Sequence, residues 1–399
     1  MINAKKNVPE LRFKEFSGEW EEKRLGEIGK FFKGKNISKD DIYDEGIECI
    51  RYGELYTTYK EKIDIVLNKT KLPLEELFIS RKNDILIPSS GETAIDISKS
   101  SCILKDNVAL GGDINIIRTE NNGIFLTYYL NYVKKQDIAK LAQGASIIHL
   151  YANNLKTLKI KFPSLSEQQK IAAFLSAIDK KIEIVDKKIE YLESYKKGLM
   201  QKLLTGKIRF PGFNDEWKEE KLGNLIAEIN KNKIENQQQY EVANIKLYGK
   251  GLKHTEKTPN ITKKGRPYFI INYGDILIGK QAFHCGSVAI ATKDFENCVT
   301  SNAILHMIEN KKKCNKKFIF YYLTNECFYN KLKMLSEGTG QKEISKTEFN
   351  NIRINIPSLP EQQKIASFLT LIDKKIELVT KKLENLKAYK KGLLQKMFV

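Results

Sequence analysis

The same segment occurs twice in this chain: Pro163 to Leu203 reads PSLSEQQKIAAFLSAIDKKIEIVDKKIEYLESYKKGLMQKL, and Pro357 to Met397 reads PSLPEQQKIASFLTLIDKKIELVTKKLENLKAYKKGLLQKM. Aligned without a gap at an offset of 194, the copies are identical at 29 of 41 positions. The longer segments that precede the two copies agree hardly at all. We call the two repeated segments the spacers. Because the spacers are alike while the larger domains before them differ, we expect the spacers to hold two different domains in a fixed arrangement.

The repeat also includes a shorter lead-in before each larger domain. GEWEEKRLGE (Gly18 to Glu27) corresponds to NDEWKEEKLGN (Asn214 to Asn224), and Arg-Phe precedes both. Each lead-in carries one of the two tryptophans of the chain, at an offset of 197. A repeated unit of this length indicates a duplicated architecture. We therefore predict a first domain with its lead-in (1–162), a first spacer helix (163–205), a second domain with its lead-in (206–356) and a second spacer helix (357–399).

The two larger domains are predicted to share a mixed α/β fold. Short β-branched runs predict strands and longer apolar periodic runs predict helices. Asp84-Ile-Leu-Ile87 and Asp275-Ile-Leu-Ile278 share one strand pattern. The predicted strands are 85–87, 114–117, 269–271 and 303–307, and the predicted helices include 125–133 and 317–323.

The spacers are predicted to be long helices that pair as an antiparallel coiled coil. Ser164-x-x-Glu167 and Ser358-x-x-Glu361 fit the capping box that begins a helix. Apolar residues then recur at alternating steps of three and four, which is typical of a coiled-coil seam. Chain connectivity predicts opposite directions and approximate two-fold symmetry. The seam positions are Ile178, Ile182, Val185, Ile189, Leu192, Leu199 and Leu203 with Ile372, Ile376, Val379, Leu383, Leu386, Leu393 and Met397, interrupted by Lys196 and Lys390.

The composition favours a polyanionic partner. The 399 residues carry a formal net charge of +19, and a basic surface gains affinity from counterion release on binding nucleic acid. Ribosomal or membrane-surface binding would give the same charge. No apolar run is long enough to span a membrane, and the N-terminus lacks the apolar stretch of a signal peptide. Six scattered cysteines indicate free thiols, so we expect a cytoplasmic protein with no membrane association.

Motifs for catalysis are missing from the sequence. There is no GxxxxGK[ST] phosphate loop and no Asn/Asp-Pro-Pro-aromatic motif of amino-methyltransferases. The four histidines lie far apart and form no ligand pattern, so we predict no catalytic residue and no metal site.

The duplicated SLxEQQKIAxFLxxIDKKIExVxKKxExLxxYKKGLxQK motif, with its lead-ins and two unlike domains, resembles the specificity subunit of a type I restriction-modification system. The resemblance covers nearly the whole chain. It implies two target-recognition domains on an antiparallel helical pair, each reading one half of a split double-stranded DNA target. It also implies that the helices set the gap between the halves and hold two methyltransferase (M) subunits, which restriction (R) subunits join. Such a chain has no catalysis of its own, and S-adenosylmethionine, ATP and Mg are expected on its partners.

The candidate DNA-binding residues are polar, basic or aromatic side chains of the kinds that contact bases and phosphates. In the first domain they are Arg51, Tyr52, Tyr56, Ser89, Ser90, Glu92, Ser146 and His149. In the second domain they are Lys250, Lys253, Lys263, Lys264, Arg266, Lys280, Gln281, His284, Thr339, Gln341 and Lys342.

The candidate partner-binding residues are polar positions that both helices repeat. A coiled coil needs only its seam, so matched outer faces suggest two equivalent sites for one partner. A glycine inside each helix costs about 1 kcal/mol, which the close approach of another backbone would explain. The residues are Gln168, Lys180, Lys181, Lys188, Tyr195 and Gly198 with Gln362, Lys374, Lys375, Lys382, Tyr389 and Gly392.

Three other functions stay open at this point. The chain could be the targeting subunit of a related bifunctional methyltransferase-nuclease, a self-contained methyltransferase or nuclease, or a coiled-coil adaptor that binds only protein. Missing motifs disfavour the self-contained enzyme, and salt-dependent DNA binding would separate a specificity subunit from an adaptor.

Overall fold

The structure is a computed structural model that describes residues 7–229, 232–234, 240–261, 265, 267–336 and 343–399. The chain divides into two compact units. The first comprises Met1–Ile184 with Lys382–Val399, and the second comprises Val185–Lys381. These units differ from the predicted segments because each of them contains part of both spacer helices.

The first unit contains a domain of short strands and helices followed by the start of a long helix. Its strands are β1 (Glu21–Arg24), β2 (Lys30–Lys33), β3 (Ile42–Tyr43), β4 (Ile47–Ile50), β5 (Lys62–Ile63), β6 (Asn68–Thr70), β7 (Ile85–Pro88), β8 (Ser90–Gly91), β9 (Ser101–Ile103), β10 (Ala109–Leu110), β11 (Ile114–Arg118), β12 (Ile148–His149) and β13 (Lys159–Phe162). Its helices are α1 (Leu25–Ile28), α2 (Tyr52–Thr57), α3 (Ala94–Ile97), α4 (Gly123–Tyr132), α5 (Lys135–Leu141), α6 (Ala152–Lys156) and the first part of α7 (Leu165–Leu203).

The described residues of the second unit begin and end with the same elements as the first, a strand and a short helix at the start and a strand before the long helix, with fewer strands and helices between them. Its strands are β14 (Lys218–Lys221), β15 (Ile226–Glu228), β16 (Ala243–Ile245), β17 (Leu252–His254), β18 (Tyr268–Ile270), β19 (Ile276–Gly279), β20 (Val288–Ile290), β21 (Val299–Ser301), β22 (Ile304–Glu309) and β23 (Arg353–Ile356). Its helices are α8 (Leu222–Leu225), α9 (Lys316–Leu323), α10 (Glu326–Ser336), α11 (Lys346–Asn351) and the first part of α12 (Leu359–Met397). The predicted strands and helices of both domains are confirmed.

The two domains share one sheet arrangement. In the first, the central sheet has the order β2-β11-β7-β9-β5; in the second, it has the order β15-β22-β19-β20. The run Ile-Leu-Ile after Asp84 or Asp275 is fully buried at the middle of each sheet. Each domain is also closed by a two-stranded antiparallel sheet, β1 with β13 and β14 with β23, which joins its lead-in to the strand before its spacer helix. The predicted common α/β fold is therefore confirmed.

The long helices pass through the units in opposite order. Helix α7 starts in the first unit and ends in the second, whereas α12 starts in the second and ends in the first, as the antiparallel prediction requires. Every predicted apolar seam position is buried or half-buried. The first helix ends at Leu203, and Gly206 follows with φ +71°, the left-handed conformation expected of a glycine at a helix terminus.

The arginine that precedes each lead-in binds the first turn of the spacer helix in the same unit. The Arg12 guanidinium donates to both carboxylate oxygens of Glu167, at 2.8 and 2.7 Å, and the Glu167 side chain is only 1% exposed. Arg209 makes the same bidentate contact with Glu361, at 2.9 and 2.7 Å. The glutamates that the sequence assigns to capping boxes are therefore also the anchors of the lead-in segments.

None of the described helices is both long and apolar enough to cross a membrane. All six cysteines are free, and four of them are buried.

Replacing Arg12 by Met should lower the free energy of unfolding by about 3 kcal/mol, because a buried carboxylate is left without its cation. The double variant Arg12→Met/Glu167→Gln should lose less, since it removes that stranded charge. Urea denaturation measures both, with Lys14→Met as the control at an exposed lysine of the same segment. A double variant no more stable than the single one would contradict the role given to this pair.

Candidate nucleic-acid interface and docking faces

A cluster of predicted DNA-binding residues forms where β7 ends in the first domain. Ser90 pairs with His149 across the β8–β12 ladder, and Ser90 Oγ lies 3.0 Å from His149 Nδ1. The Leu150 amide donates to the Ser89 carbonyl at 2.9 Å, which holds the same two segments together one residue along. Both serines are buried and His149 is half-buried. The histidine is thus the most accessible of the three at this strand end.

Helix α2 brings two tyrosines to the same cluster. The Tyr56 ring packs beside Gly91, where an added Cβ would lie 3.8 Å from the ring. Burial raises the pKa of the Tyr56 hydroxyl, and the neighbouring Tyr52 and Glu92 raise it further. Tyr52 and Glu92 are exposed. Residues from three separate segments of the sequence therefore meet here.

Arg51 and Ser146 lie at the borders of this cluster. Arg51 Nε donates to Glu54 Oε1 at 3.1 Å, and the same buried carboxylate accepts from Asn68 at 2.7 Å, so the guanidinium is held at the start of α2. Ser146 is exposed in the turn that the Gln143 and His149 backbones close with bonds of 2.9 and 2.7 Å.

The sequence prediction missed residues on the other side of His149. Tyr151 is 53% exposed and its ring is stacked on His149, with centroids 6.1 Å apart. An open cleft next to it is lined by His149 and by residues that no pattern singled out: Lys33, Tyr151, Asn153 and Lys156. In the sequence, only the position of Tyr151, an aromatic residue two places after the candidate His149, could have indicated this cleft.

The second domain presents different side chains at the same position of the scaffold. Lys280 and Gln281 follow β19 as Ser89 and Ser90 follow β7, five and six residues after the matching aspartate. The Ile344 amide donates to the Lys280 carbonyl at 3.2 Å, like Leu150 to Ser89. Glu343 therefore occupies the place of His149, and its carboxylate lies 2.7 Å from Lys280 Nζ.

The other predicted residues of the second domain lie elsewhere. Lys250 is exposed in a cleft lined by Lys197 and Tyr329, beside α7. Its loop is bonded by the Tyr248 and Gly249 amides to the short 3-10 turn that contains the half-buried His284. Lys253 is exposed on β17 and Gln281 is exposed after β19. Outside the described residues lie Lys263, Lys264, Arg266, Thr339, Gln341 and Lys342.

The seam lysine of α12 joins both helices to the first domain. Lys390 Nζ lies 2.6 Å from Asp179 on α7 and 3.4 Å from Glu61, and it lies over the ring of Tyr128 at 5.2 Å. The Tyr128 hydroxyl donates to the same aspartate. Burial alone would lower the pKa of Lys390, but the charge of Glu61 and the hydrogen bond to Asp179 raise it overall.

The second unit repeats this arrangement with the roles of the helices exchanged. Lys196 on α7 lies 2.5 Å from Asp373 on α12 and over the ring of Tyr321 at 5.4 Å. Tyr321 donates to Asp373 at 2.5 Å. We call these two clusters the lysine clamps. Each one fixes the alignment of the helix segments in its unit and attaches a domain helix to them.

The predicted partner-binding residues divide into exposed and buried ones. The lysines and tyrosines of that set are exposed on both helices. Gln168 and Gln362, in contrast, are 1% and 0% exposed. Gln168 accepts from the Asn122 amide at 3.0 Å and Gln362 from the Asn315 amide at 2.9 Å. Both therefore anchor domain helices, and we remove them from the docking surface because their amides are already bonded inside the chain.

Each helix carries an exposed face with apolar and aromatic residues at helical spacing. On α7 it contains Ile184 (58% exposed), Tyr191 (66%) and Tyr195 (46%); on α12 it contains Leu378 (70%) and Tyr389 (56%). Tyr191 and Tyr195 are stacked with centroids 6.2 Å apart. We call these the outer faces; their full membership is Ile184, Lys188, Tyr191, Tyr195 and Gly198 on α7, and Leu378, Lys382, Asn385, Tyr389 and Gly392 on α12.

The glycines of the outer faces have free space around them. Apart from the helix's own neighbouring backbone, a Cβ added at Gly198 or Gly392 would meet no atom of the described residues within 4 Å. Packing against the part of the chain that the structure describes therefore does not require glycine at either place, and no described residue makes the close approach predicted from the sequence.

Comparison with known proteins agrees with this geometry. The profile of the type I restriction modification DNA specificity domain matches residues 17–194 and again 214–388. The chain belongs to this family. Two matches in tandem correspond to the two repeated units, and type I specificity subunits supply DNA sequence recognition to a restriction-modification system. The resemblance drawn from the duplicated motif is confirmed.

Several specificity subunits are similar to the chain over much of its length. The MjaVIII specificity subunit of Methanocaldococcus jannaschii is 29% identical over 413 residues, covering 96% of this chain and 94% of that protein. The EcoR124I/EcoR124II specificity subunit of Escherichia coli is 26% identical over 202 residues, covering 45% and 48%. A solved type I S subunit from M. genitalium has the same fold, with a TM-score of 0.66 and 18% identity over 98% of this chain and 99% of that one.

Replacing Glu61 by Gln should destabilise the first unit in a pH-dependent way. Burial alone would raise the pKa of Glu61, but the Lys390 charge and nearby hydrogen bonds bring it below the usual 4.5. A carboxyl with a lowered pKa stabilises the fold above its unfolded pKa and loses that contribution as the pH falls through its folded pKa. We expect a loss of about 2 kcal/mol at pH 7 that shrinks below pH ~4.5. The midpoints of urea denaturation, measured from pH 7 to below pH ~4.5, give this loss of stability, with Glu45→Gln at an exposed position as the control. A loss that does not change with pH would contradict the ion pair between Glu61 and Lys390.

Proposed function

We propose that the two domains of this specificity subunit read two different halves of a split double-stranded DNA target. The observation that carries this proposal is the shared scaffold with unlike side chains at one place. Ser89, Ser90 and His149 occupy a strand end in the first domain, where the second has Lys280, Gln281 and Glu343. Base edges are distinguished by donor and acceptor patterns, so different side chains at equivalent positions select different bases. The net charge of +19 supports attraction to the phosphate backbone.

We further propose that the outer faces dock two copies of one methyltransferase subunit. The faces are related by the sequence repeat, and each exposes a tyrosine at the same position, Tyr195 or Tyr389. Exposed aromatic and aliphatic side chains in a row are typical of a protein-binding surface. On this proposal the chain has no catalysis of its own and acts in the cytoplasm. Methyl transfer with S-adenosylmethionine, and cleavage that uses ATP and Mg by restriction subunits, then belong to its partners.

The half-site proposal predicts that variants of each domain change one half of the methylated sequence. In cells carrying this chain and its methyltransferase, Ser90→Ala/His149→Ala should relax recognition in one half only, and Lys280→Ala/Gln281→Ala in the other. Each lost base contact is worth about 1–3 kcal/mol, enough to spread methylation to related sites. Methylome sequencing reads the result, with Lys39→Ala, an exposed lysine of the first domain, as the control.

Two outcomes would refute this assignment. One is a continuous palindromic target, and the other is a change of both halves by a variant of a single domain. If DNA binding by the purified complex also showed no dependence on salt concentration, the coiled-coil adaptor would become the better explanation.

The docking proposal predicts opposite effects of an outer-face alanine on stability and on assembly. Gly198→Ala and Gly392→Ala should each stabilise the free chain by up to about 1 kcal/mol, because alanine favours the helix and no described residue opposes its Cβ. If the partner's backbone approaches here, the same changes weaken methyltransferase binding by about tenfold or more, a loss of ~1.4 kcal/mol.

Thermal unfolding of the free chain and titration with the methyltransferase subunit measure the two effects. Ser194→Ala is the matched control: it is exposed on the same helix, the change adds no bulk because alanine is smaller than serine, and the second repeat already has Ala388 there. Unchanged methyltransferase binding by both glycine variants would show that the partner docks elsewhere.

A further inference from the structure

Three possible metal ligands from distant parts of the sequence meet in the second unit. They are the carboxylate of Glu241, the imidazole of His254 and the thiol of Cys298, and one ligand atom from each lies within 4.8 Å of the others. Their separation along the chain is why the sequence shows no ligand pattern. The site shares no residue with the strand-end group Lys280, Gln281 and Glu343 or with the outer faces, and the DNA-binding candidate Lys253 precedes His254 on β17.

The backbone brings these residues together through two pairings. Strand β17 pairs with β16 so that His254 lies opposite Ala243, two residues after Glu241. The Glu241 carbonyl accepts from the Val299 amide at 2.9 Å, which places Glu241 beside the residue that follows Cys298. The site therefore lies where the β16–β17 hairpin meets the start of β21.

Each side chain is held in place by a further contact. His254 Nδ1 lies 2.8 Å from Glu241 Oε2, and the histidine ring is stacked on Phe295 with centroids 4.2 Å apart. The other carboxylate oxygen of Glu241 accepts from the Glu256 amide at 2.9 Å. The Cys298 amide donates to the Phe295 carbonyl at 3.1 Å, so one turn supplies both the stacking ring and the thiol. Contacts of this kind orient the ligands of protein metal sites.

A reactive cysteine is a poorer interpretation of the same cluster. Cys298 is only 7% exposed, and burial, followed by the charge of Glu241, raises the pKa of its thiol. A nucleophilic cysteine needs a lowered pKa and access to its substrate. A bound cation would instead offset the negative charge of both the thiolate and the carboxylate.

The donor set indicates which cation fits. One sulfur, one imidazole nitrogen and one carboxylate oxygen are the ligands that zinc takes, with water in the fourth tetrahedral position. Calcium and magnesium take oxygen ligands instead. We propose that Glu241, His254 and Cys298 form a site for a thiophilic divalent cation, zinc, which fastens the β16–β17 hairpin to the turn before β21.

Binding would replace protons by the metal. The Cys298 thiol gives up its proton to solvent, as does any proton shared by the His254 imidazole and Glu241, so metal uptake releases protons. The hairpin loop contains Lys250, and Lys253 lies on β17. The cation would thus order a basic segment of the second domain. This inference does not depend on which bases that domain reads.

The full-length chain, stripped with a chelator, can be titrated with Co²⁺ as a spectroscopic substitute for zinc. We expect one equivalent to bind with a thiolate-to-cobalt charge-transfer absorption, release of protons, displacement by Zn²⁺ and a higher thermal midpoint with either metal. Cys298→Ser should abolish the absorption band, and His254→Ala should lower the affinity by at least about tenfold. Glu241→Gln should also weaken binding while keeping the band.

The matched controls are Cys327→Ser and His284→Ala, which remove a free cysteine and a histidine outside the cluster. Both should bind cobalt as the parent chain does. The proposal is overturned if the parent chain takes up no cobalt, if the band persists in Cys298→Ser, or if Cys327→Ser loses it. Circular dichroism of each variant without metal checks that it is folded, and Glu241→Gln, the mildest change, tests the site even if Cys298→Ser does not fold.

Discussion

The lysine clamps are the interaction on which the rest of this structure depends. A lysine in a coiled-coil seam specifies the register of the helices at a cost in stability, and removing the partner of a buried charge costs more still. Here the aspartate of the other helix supplies the charge, and a domain tyrosine donates to that aspartate. Slipping one helix along the other would separate lysine from aspartate. Each clamp therefore fixes both the alignment of the two helices and the position of the domain helix on them.

The remaining attachments of each domain follow the same plan. The arginine before each lead-in binds the first glutamate of the spacer, and the glutamine after that glutamate accepts from the amide at the start of a domain helix. All of these contacts involve residues of the duplicated spacer. None of these contacts involves the strand-end residues Ser89, Ser90, Lys280 or Gln281. The duplicated spacer residues therefore have a structural role in attaching each domain, besides their place in the repeat.

Much of the architecture could be predicted from the sequence because it depends on local periodicity. The seam residues and the buried Ile-Leu-Ile strands repeat at spacings that indicate which face is covered. Gln168 and Gln362 were assigned to the outside for the same reason, but a domain helix covers the first turn of each spacer. Periodicity along one helix contains no information about what folds back over its end. The sequence identifies His149 as a candidate. Tyr151 and Glu343 become candidates only in the structure, because Tyr151 stacks on His149 and Glu343 pairs with Lys280.

The sequence by itself determined the duplication, the helices, their opposite directions and the family of the chain, since all of these are carried by residue order and spacing. Tertiary structure alone decided which residues meet across long separations. It placed Lys390 against Asp179 and Glu61, matched Lys280 to Ser89 at the strand ends, and gathered Glu241, His254 and Cys298. Such contacts depend on how strands pair and turns close, and no local pattern in the chain records them.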